Sequence, residues 1–547
     1  MAKVTIDNIQ IEVENNCTIL DAARKIGVEI PTLCYLKEKN EIGACRVCQV
    51  EIQGARALAA ACVMPVSDGM VINTKSKKVR DARKATVELI LSNHNRECLT
   101  CSSNNNCELQ SLANELGIRE IPFEGESDFG VVDTSSPSIV RDQSKCILCG
   151  RCVNVCKKDQ GSSILDFTDR GINTKVSPLF NKNLTEVPCI YCGQCVSVCP
   201  TAALREKEDI AKVWAALECP DTFVVVQTAP AVRAALGEEF GLPVGTRVTG
   251  KMTTALKRLG FDKVFDTNFG ADLTIMEEGH ELLDRLNNGG VLPMITSCSP
   301  GWIRFCEFNY PEFIPNLSTC KSPAQMLGAI IKTYYAEKNN LDAKKIFNVS
   351  IMPCISKKSE AERPEMHVNG NRDIDAVLST RELAKMIKEA RINFAALEDA
   401  SFDQDLLGEY TGAGAIFGAT GGVMTAALRT VADVSLDFNA VSGLDGMKEA
   451  EATVNGKNVK VAVVHGTGNA AKLLEKIKSG EAKYDFIEIM ACGGGCVAGG
   501  GQPIITAATR ASTDIREARA KVLSDEDAKM PLRKSHKNPQ INKLYDN

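Results

Sequence analysis

Residues 146–156 read CILCGRCVNVC, and residues 189–199 read CIYCGQCVSVC. One run of four cysteines is thus written twice. Thiolates spaced by two residues can meet three corners of one iron–sulfur cubane, and the fourth cysteine of each run reaches the other cluster. Cys146, Cys149, Cys152 and Cys199 are therefore expected on one 4Fe–4S cluster, and Cys189, Cys192, Cys195 and Cys156 on a second. Pro200 follows the second run as the bacterial ferredoxin pattern expects, whereas Lys157 stands in that place after the first. Paired zinc ribbons are the alternative, but they favour two-plus-two spacing.

Towards the N-terminus two further groups appear. In Cys34-x10-Cys45-x2-Cys48-x13-Cys62 one distant and two close thiolates precede a fourth from a later strand. This suits a variant of the plant-type 2Fe–2S site, with structural zinc the bland alternative. Val4, Ile6, Ile9, Ile11 and Val13 alternate around Asp7-Asn8, which predicts a hairpin. Thr18 then caps a helix whose apolar residues are Ile19, Ala22, Ala23 and Ile26, and Gly27 ends it. Hairpin, helix and cysteines together predict a β-grasp module. His94-x3-Cys98-x2-Cys101-x5-Cys107 follows a helix expected over 76–93. Alone this set suits zinc; beside three iron–sulfur sites it is read as a 4Fe–4S cluster with one neutral histidine ligand.

The chain has 547 residues, too many for one core, and a net charge of −5, which argues against a nucleic-acid binder. Its 23 cysteines are clustered, 16 before residue 200 and 7 after, which means metal or redox chemistry in a reducing compartment. MAKVTIDNIQ lacks an apolar signal core, so the expected location is the cytoplasm. Tyr410–Leu428 is uncharged but holds five glycines, a poor membrane span and a better buried segment. The runs FVVVQTAP, KVAVVHGTG and DFIEIMAC, alternating with helical stretches, predict an α/β second half. The expected division is multidomain α+β and α/β: a 2Fe–2S β-grasp domain (1–78), a cluster domain with one histidine and three cysteine ligands (79–122), an acidic linker (123–136), a two-cluster ferredoxin-like domain (137–209), a catalytic domain (210–505) and a charged surface-wrapping tail (506–547).

Three motifs follow residue 290: TSCSPGW (296–302), MPCISKK (352–358) and EIMACGGGC (488–496). Wired to four clusters, their cysteines suggest one more metal site, and the glycines would let backbone approach a bulky cofactor. These motifs resemble the signature loops of FeFe hydrogenases, and the cluster order resembles the large clostridial-type members. The resemblance implies an H-cluster, which is a 4Fe–4S cubane joined through cysteine sulfur to a di-iron centre carrying CO, cyanide and azadithiolate. It implies that Cys354, Cys492 and Cys496 ligate the cubane, with Cys496 as the bridge. The family's first motif has two adjacent cysteines. Here the second is Ser299, so the fourth cubane ligand is either Ser299 or Cys298. Lys357, Ser322 and the Ala229-Pro230 backbone are implied cofactor contacts, with Met352 and Met490 packed beside the di-iron unit.

Glu278, Glu281 and Arg285 share one helical stripe, and by spacing alone this reads as an exposed charged face. The resemblance instead puts Glu278, Glu281, Ser318 and Cys298 on a proton route, with Cys298 exchanging a proton with the bridgehead amine. The implied reaction is reversible: two protons and two electrons from reduced ferredoxin give H2. Implied partners are ferredoxin or a similar carrier and maturation proteins for the di-iron cofactor. NADH-oxidising subunits would be needed if the chain serves an electron-bifurcating complex, since it has no nucleotide fingerprint. A non-catalytic electron-transfer subunit and a sensor or assembly protein are the other readings. Cys17, Cys219, Cys306 and Cys320 are expected to be buried thiols without a role.

Overall fold

A computed structural model describes residues 1–126, 130, 132–432, 446–454 and 456–546. Of the expected linker over 123–136, residues 127–129 and 131 lie outside the described residues. The chain is a mixed α/β, multidomain assembly.

Strands drawn from residues 2–73 build a five-stranded sheet. Strands Ala2–Ile6 and Ile9–Val13 pair antiparallel. Asp7 (φ 47°) and Asn8 (φ 71°) supply the two left-handed residues that a tight hairpin turn needs. Helix Ile19–Lys25 starts where the Thr18 hydroxyl accepts the Asp21 N–H, and it buries Ile19, Leu20, Ala22 and Ala23. Helix Lys77–Ser92, capped by Ser76, leads out of this sheet.

In the second half, two four-stranded sheets carry the fold. In one, strands Lys263–Asp266, Phe223–Thr228, Ile346–Met352 and Ala376–Ser379 are all parallel. In the other, Met294–Ile295, Phe486–Met490 and Lys457–His465 are parallel, and Met447–Val454 closes the edge antiparallel. The near-continuous apolar runs of the parallel strands FVVVQT and FIEIM are what sheets covered on both faces require. Strands ending at Thr228, Ile295, Met352 and Met490 all deliver their following loops to one place. Parallel strands put ligand-binding loops at their carboxyl ends.

The uncharged stretch Tyr410–Leu428 is buried and partly helical, with helix Gly422–Val431 inside the catalytic half. Among the described residues no helix is long and apolar enough to cross a membrane. The C-terminal tail is tied in more deeply than a surface wrap. Helix Ile515–Lys529 buries Arg519, Glu526 and Asp527, and the Glu526 carboxylate meets the fully buried Arg233 at 3.0 Å. Buried Asp272 accepts from Ser535 at 2.8 Å and Asn538 at 3.1 Å.

Candidate active site and its cysteine-lined approach

The loops after four parallel strands surround a cavity of about 80 Å3. A single water needs roughly 10–15 Å3 on this measure, so the space suits a larger group. Cys298, Ser299, Cys354, Cys492 and Cys496 all line it, together with Ala229, Pro230, Met352, Lys357 and Met490. Ser322 does not line it; the Ser322 hydroxyl donates to Glu360 at 3.0 Å. Lys357 is buried. Its ammonium donates to both Glu360 oxygens (3.0 and 2.9 Å) and to the Cys298 carbonyl (3.2 Å). Sequence reasoning missed Glu360; its place three residues after Lys357, one helical turn on, was the available signal.

Burial pushes the Cys496 thiol up to about 12 and raises those of Cys354 and Cys492. Burial first, and the Glu278 charge second, also lift Cys298, while Lys357 opposes them. Such thiols become thiolates only when added positive charge enters, which iron provides. Among the described residues no three His, Cys, Asp or Glu side chains are close enough to grip a single ion. The catalytic-half thiols stand back around a cavity instead.

Glycines of the third motif also bring backbone against backbone. A Cβ on Gly499 would fall 2.2 Å from the Pro353 carbonyl oxygen, and one on Gly500 would fall 2.3 Å from that of Cys192. Glu488, also missed, is wholly buried and accepts the N–H groups of Gly421 and Met424, each at 2.7 Å, at the start of helix Gly422–Val431. Burial nevertheless pushes its carboxyl up to about 7. A lone glutamate in the apolar strand FIEIM, near a glycine-rich run, was its signal.

The charged stripe on helix Asn268–Asn288 corrects the reading from spacing alone. Glu278 is 1% exposed, not solvated. Neither of its oxygens makes a well-formed hydrogen bond among the described residues. Burial pushes the carboxyl up to about 7; the nearby Ser318 hydroxyl offsets this in part, and the Glu281 charge adds to it. Glu281 accepts from Ser318 (3.1 Å), the Thr319 N–H (3.0 Å) and Arg285 (2.6 Å). Arg285 also donates to the carbonyls of Val291, Asn316 and Leu317, so it holds Glu281 in place.

Two smaller cavities lead away from the site. Cys156, Cys189, Cys192 and Cys195 line one, and Cys146, Cys149, Cys152 and Cys199 line the other. The fourth cysteine of each run thus sits with the first three of its counterpart, and Cys192 borders the main cavity as well. Beyond them, the Cys34 N–H donates to the Cys45 sulfur at 3.4 Å, and the thiols of Cys34, Cys48 and Cys62 are near enough to shift one another's titration. The buried Asn40 amide donates to the carbonyls of Cys34 (2.7 Å) and Cys149 (3.0 Å). His94 is buried, its pKa is pushed down to about 4, and its Nδ1 has no hydrogen-bond partner among the described residues. A neutral imidazole with an orphaned nitrogen fits a ligand. Burial raises the Cys107 thiol, and the nearby Cys101 and Cys98 add to the rise. This region is clamped by Glu108, which meets Arg151 through two bonds of 2.8 Å.

Of the four unassigned thiols, Cys306 is buried and Cys17 and Cys320 are half-buried, but Cys219 is exposed. The expectation of a buried Cys219 is therefore wrong. The residue follows the end of helix Ile210–Leu217 in a surface turn.

Known families match this geometry domain by domain. Residues 222–500 match the family described as iron only hydrogenase large subunit, C-terminal domain. Residues 1–77 match a 2Fe-2S iron-sulfur cluster binding domain, 83–122 the NADH-ubiquinone oxidoreductase-G iron-sulfur binding region, 145–203 a 4Fe-4S dicluster domain, and 513–547 the iron hydrogenase small subunit. The NADP-reducing hydrogenase subunit HndD of Solidesulfovibrio fructosivorans is 49% identical, with 100% of this chain and 95% of that protein covered. Iron hydrogenase 1 of Clostridium pasteurianum is 46% identical over 100% of this chain and 96% of its own length. A solved FeFe-hydrogenase structure from Chlamydomonas reinhardtii superposes with a TM-score of 0.55 at 42% identity, covering 62% of this chain and 93% of that one. The chain belongs to the FeFe hydrogenase family: it is an oxidoreductase acting on H2, a large catalytic chain with accessory iron–sulfur domains.

Proposed function

We propose that this chain interconverts protons and H2 with ferredoxin or a similar one-electron carrier as its redox partner, in the cytoplasm. The domain division is that given by the sequence (1–78, 79–122, 137–209, 210–505 and 506–547), with the first sheet a β-grasp. One 2Fe–2S and three 4Fe–4S clusters form the relay. The single observation that carries this reading is the convergence of Cys298, Ser299, Cys354, Cys492, Cys496 and Lys357 on one cavity.

The donor set fits an H-cluster. Cys354, Cys492 and Cys496 would hold it, and burial keeps their thiols protonated until cationic iron arrives. When bound, the di-iron part with its CO, cyanide and azadithiolate ligands supplies the iron site at which protons and electrons combine. Of the two candidates for the remaining position, Ser299 is favoured, since its oxygen accepts the Ala491 N–H at 3.2 Å beside Cys492. Cys298, which feels the charges of Glu278 and Lys357, would be left free to handle protons.

The chain's own residues move the protons. Cys298 keeps its proton on sulfur because burial disfavours the thiolate, and it can pass that proton inward. Glu278, near neutrality in its titration, re-protonates it. Ser318 and Glu281 continue the route outward, and Arg285 fixes Glu281. Met352 and Met490 line the cavity and would exclude water around the group, and Lys357 would offer a cation to a cyanide. At about 59 mV per tenfold change, seven pH decades put the proton couple near about −0.41 V. Plant-type 2Fe–2S centres lie near about −400 mV, so electrons can run either way.

A second reading is favoured by one finding: the relative at 49% identity is a hydrogenase subunit. The chain would then be the catalytic member of a complex whose other subunits handle a pyridine nucleotide. Infrared spectra and H2 assays of matured protein test the main reading. Sharp CO and cyanide bands with H2 evolution from reduced ferredoxin are expected; their lasting absence would refute it. Nucleotide-dependent H2 evolution only with added subunits would favour the second reading.

A further inference from the structure

The last relay cavity meets the catalytic loops through a backbone-to-backbone contact. A Cβ on Gly193, itself at φ +72°, would fall 2.5 Å from Ile355 Cδ1, and one on Gly500 would fall 2.6 Å from Gly193 Cα. One polar side chain crosses this seam to a cysteine of the main cavity. Gln194, between Cys192 and Cys195, reaches out of the ferredoxin-like domain. Its Nε2 donates to the Cys492 sulfur at 3.3 Å and to the Ala498 carbonyl at 2.9 Å. Both partners are acceptors, so the amide nitrogen and not its oxygen must face them. The two N–H groups of one amide therefore hold the Cys492 sulfur and the start of the following loop in fixed relation.

We propose that Gln194 is a positioning residue that sets the reduction potential of the cluster held by Cys492, by donating a hydrogen bond to that sulfur across the domain seam. The inference rests on the reading of Cys492 as a cubane ligand. A donor to a ligating sulfur stabilises the state with one more electron on the cluster, so it raises the potential. Gln194 gains and loses neither proton nor electron. Its backbone is that of the neighbouring cluster's ligand run, so the same side chain ties the donor site to the acceptor site at a fixed separation.

The test is a potentiometric titration followed by electron paramagnetic resonance on the full-length, cluster-loaded protein. The variants are Gln194→Met, Gln194→Glu and, as a control, Cys492→Ala, which has no donor atom. The signal belonging to the catalytic cubane is the one that Cys492→Ala removes. In Gln194→Met, which keeps length but not the donor, its reduced-to-oxidised ratio at fixed potential should fall about tenfold, about 59 mV for one electron. Gln194→Glu, which adds a negative charge, should shift it further the same way. The remaining cluster signals should hold their potentials, which also reports that the fold is intact. An unmoved midpoint in both variants, or an equal shift in every cluster, would overturn the inference. If no signal is lost in Cys492→Ala, the ligand reading itself fails, and the inference with it.

Discussion

Glu278→Gln separates what a buried carboxyl does for proton movement from what it costs in stability. The amide keeps the shape of the side chain and cannot release a proton. Burial lifts the carboxyl from 4.5 to about 7, so it exchanges protons near neutral pH, where a relay group works best. Loss of such a group slows turnover by roughly 100- to 10,000-fold. H2 evolution driven by a chemical reductant at neutral pH should therefore fall at least about 100-fold. The wild-type rate should bend near pH 7, and the variant should lack that bend.

Stability should move the other way. The folded carboxyl holds its proton more tightly than the unfolded one. Between pH 4.5 and about 7 the native state thus carries the extra proton, and stability is lost as pH rises through that window. At about 1.36 kcal/mol per pH decade the loss totals on the order of 3 kcal/mol, of which about 2 falls above about pH 5.5. Glutamine has no such dependence. Thermal unfolding followed at about pH 5.5 and about pH 8 should show the variant gaining on the wild type at the higher pH. Retention of more than about a third of the activity with unchanged infrared bands would refute the reasoning, as would a stability difference that ignores pH.

Cys298→Ser should slow turnover by about 100-fold or more while leaving the CO and cyanide bands in place, because a hydroxyl holds its proton far more tightly than a thiol; full activity with an intact cofactor would remove Cys298 from the route. Glu108→Ala strands the buried Arg151 guanidinium, whose two bonds of 2.8 Å it breaks, and removing one partner of such a pair costs about 3–5 kcal/mol. Earlier proteolysis of the segment bearing His94 is the readout, and unchanged proteolysis contradicts the clamp. Gly193→Ala combines a left-handed backbone with a Cβ 2.5 Å from Ile355. It should slow ferredoxin-driven H2 evolution several-fold, and an unchanged rate would mean that the seam is soft.

Local rules made much of the scaffold legible. Asp7-Asn8 announced a turn because both residues tolerate left-handed backbone, and Thr18 announced a helix start because its hydroxyl can accept an orphan amide proton. The stripe of Glu278, Glu281 and Arg285 shows where such reasoning stops. Periodicity tells which side chains share a face, but not what packs over that face. Ser318 and the loops around it cover Glu278, so a residue that reads as solvated is buried. Glu360 was hidden for the same reason: its burial shows only once the Lys357 ammonium is seen to meet it at 2.9 Å.

By itself, the sequence determined which thiols could act together within a run, since a spacing of two residues brings sulfurs together whatever surrounds them. It also pointed to an α/β second half, because apolar strand-like runs alternate there with helical stretches. Only the tertiary structure decided that Cys298, Cys354, Cys492 and Cys496, separated by nearly 200 residues of chain from first to last, would line one cavity beside Cys192. That meeting depends on strands from two sheets ending at a common edge, and no local rule carries information over such a distance.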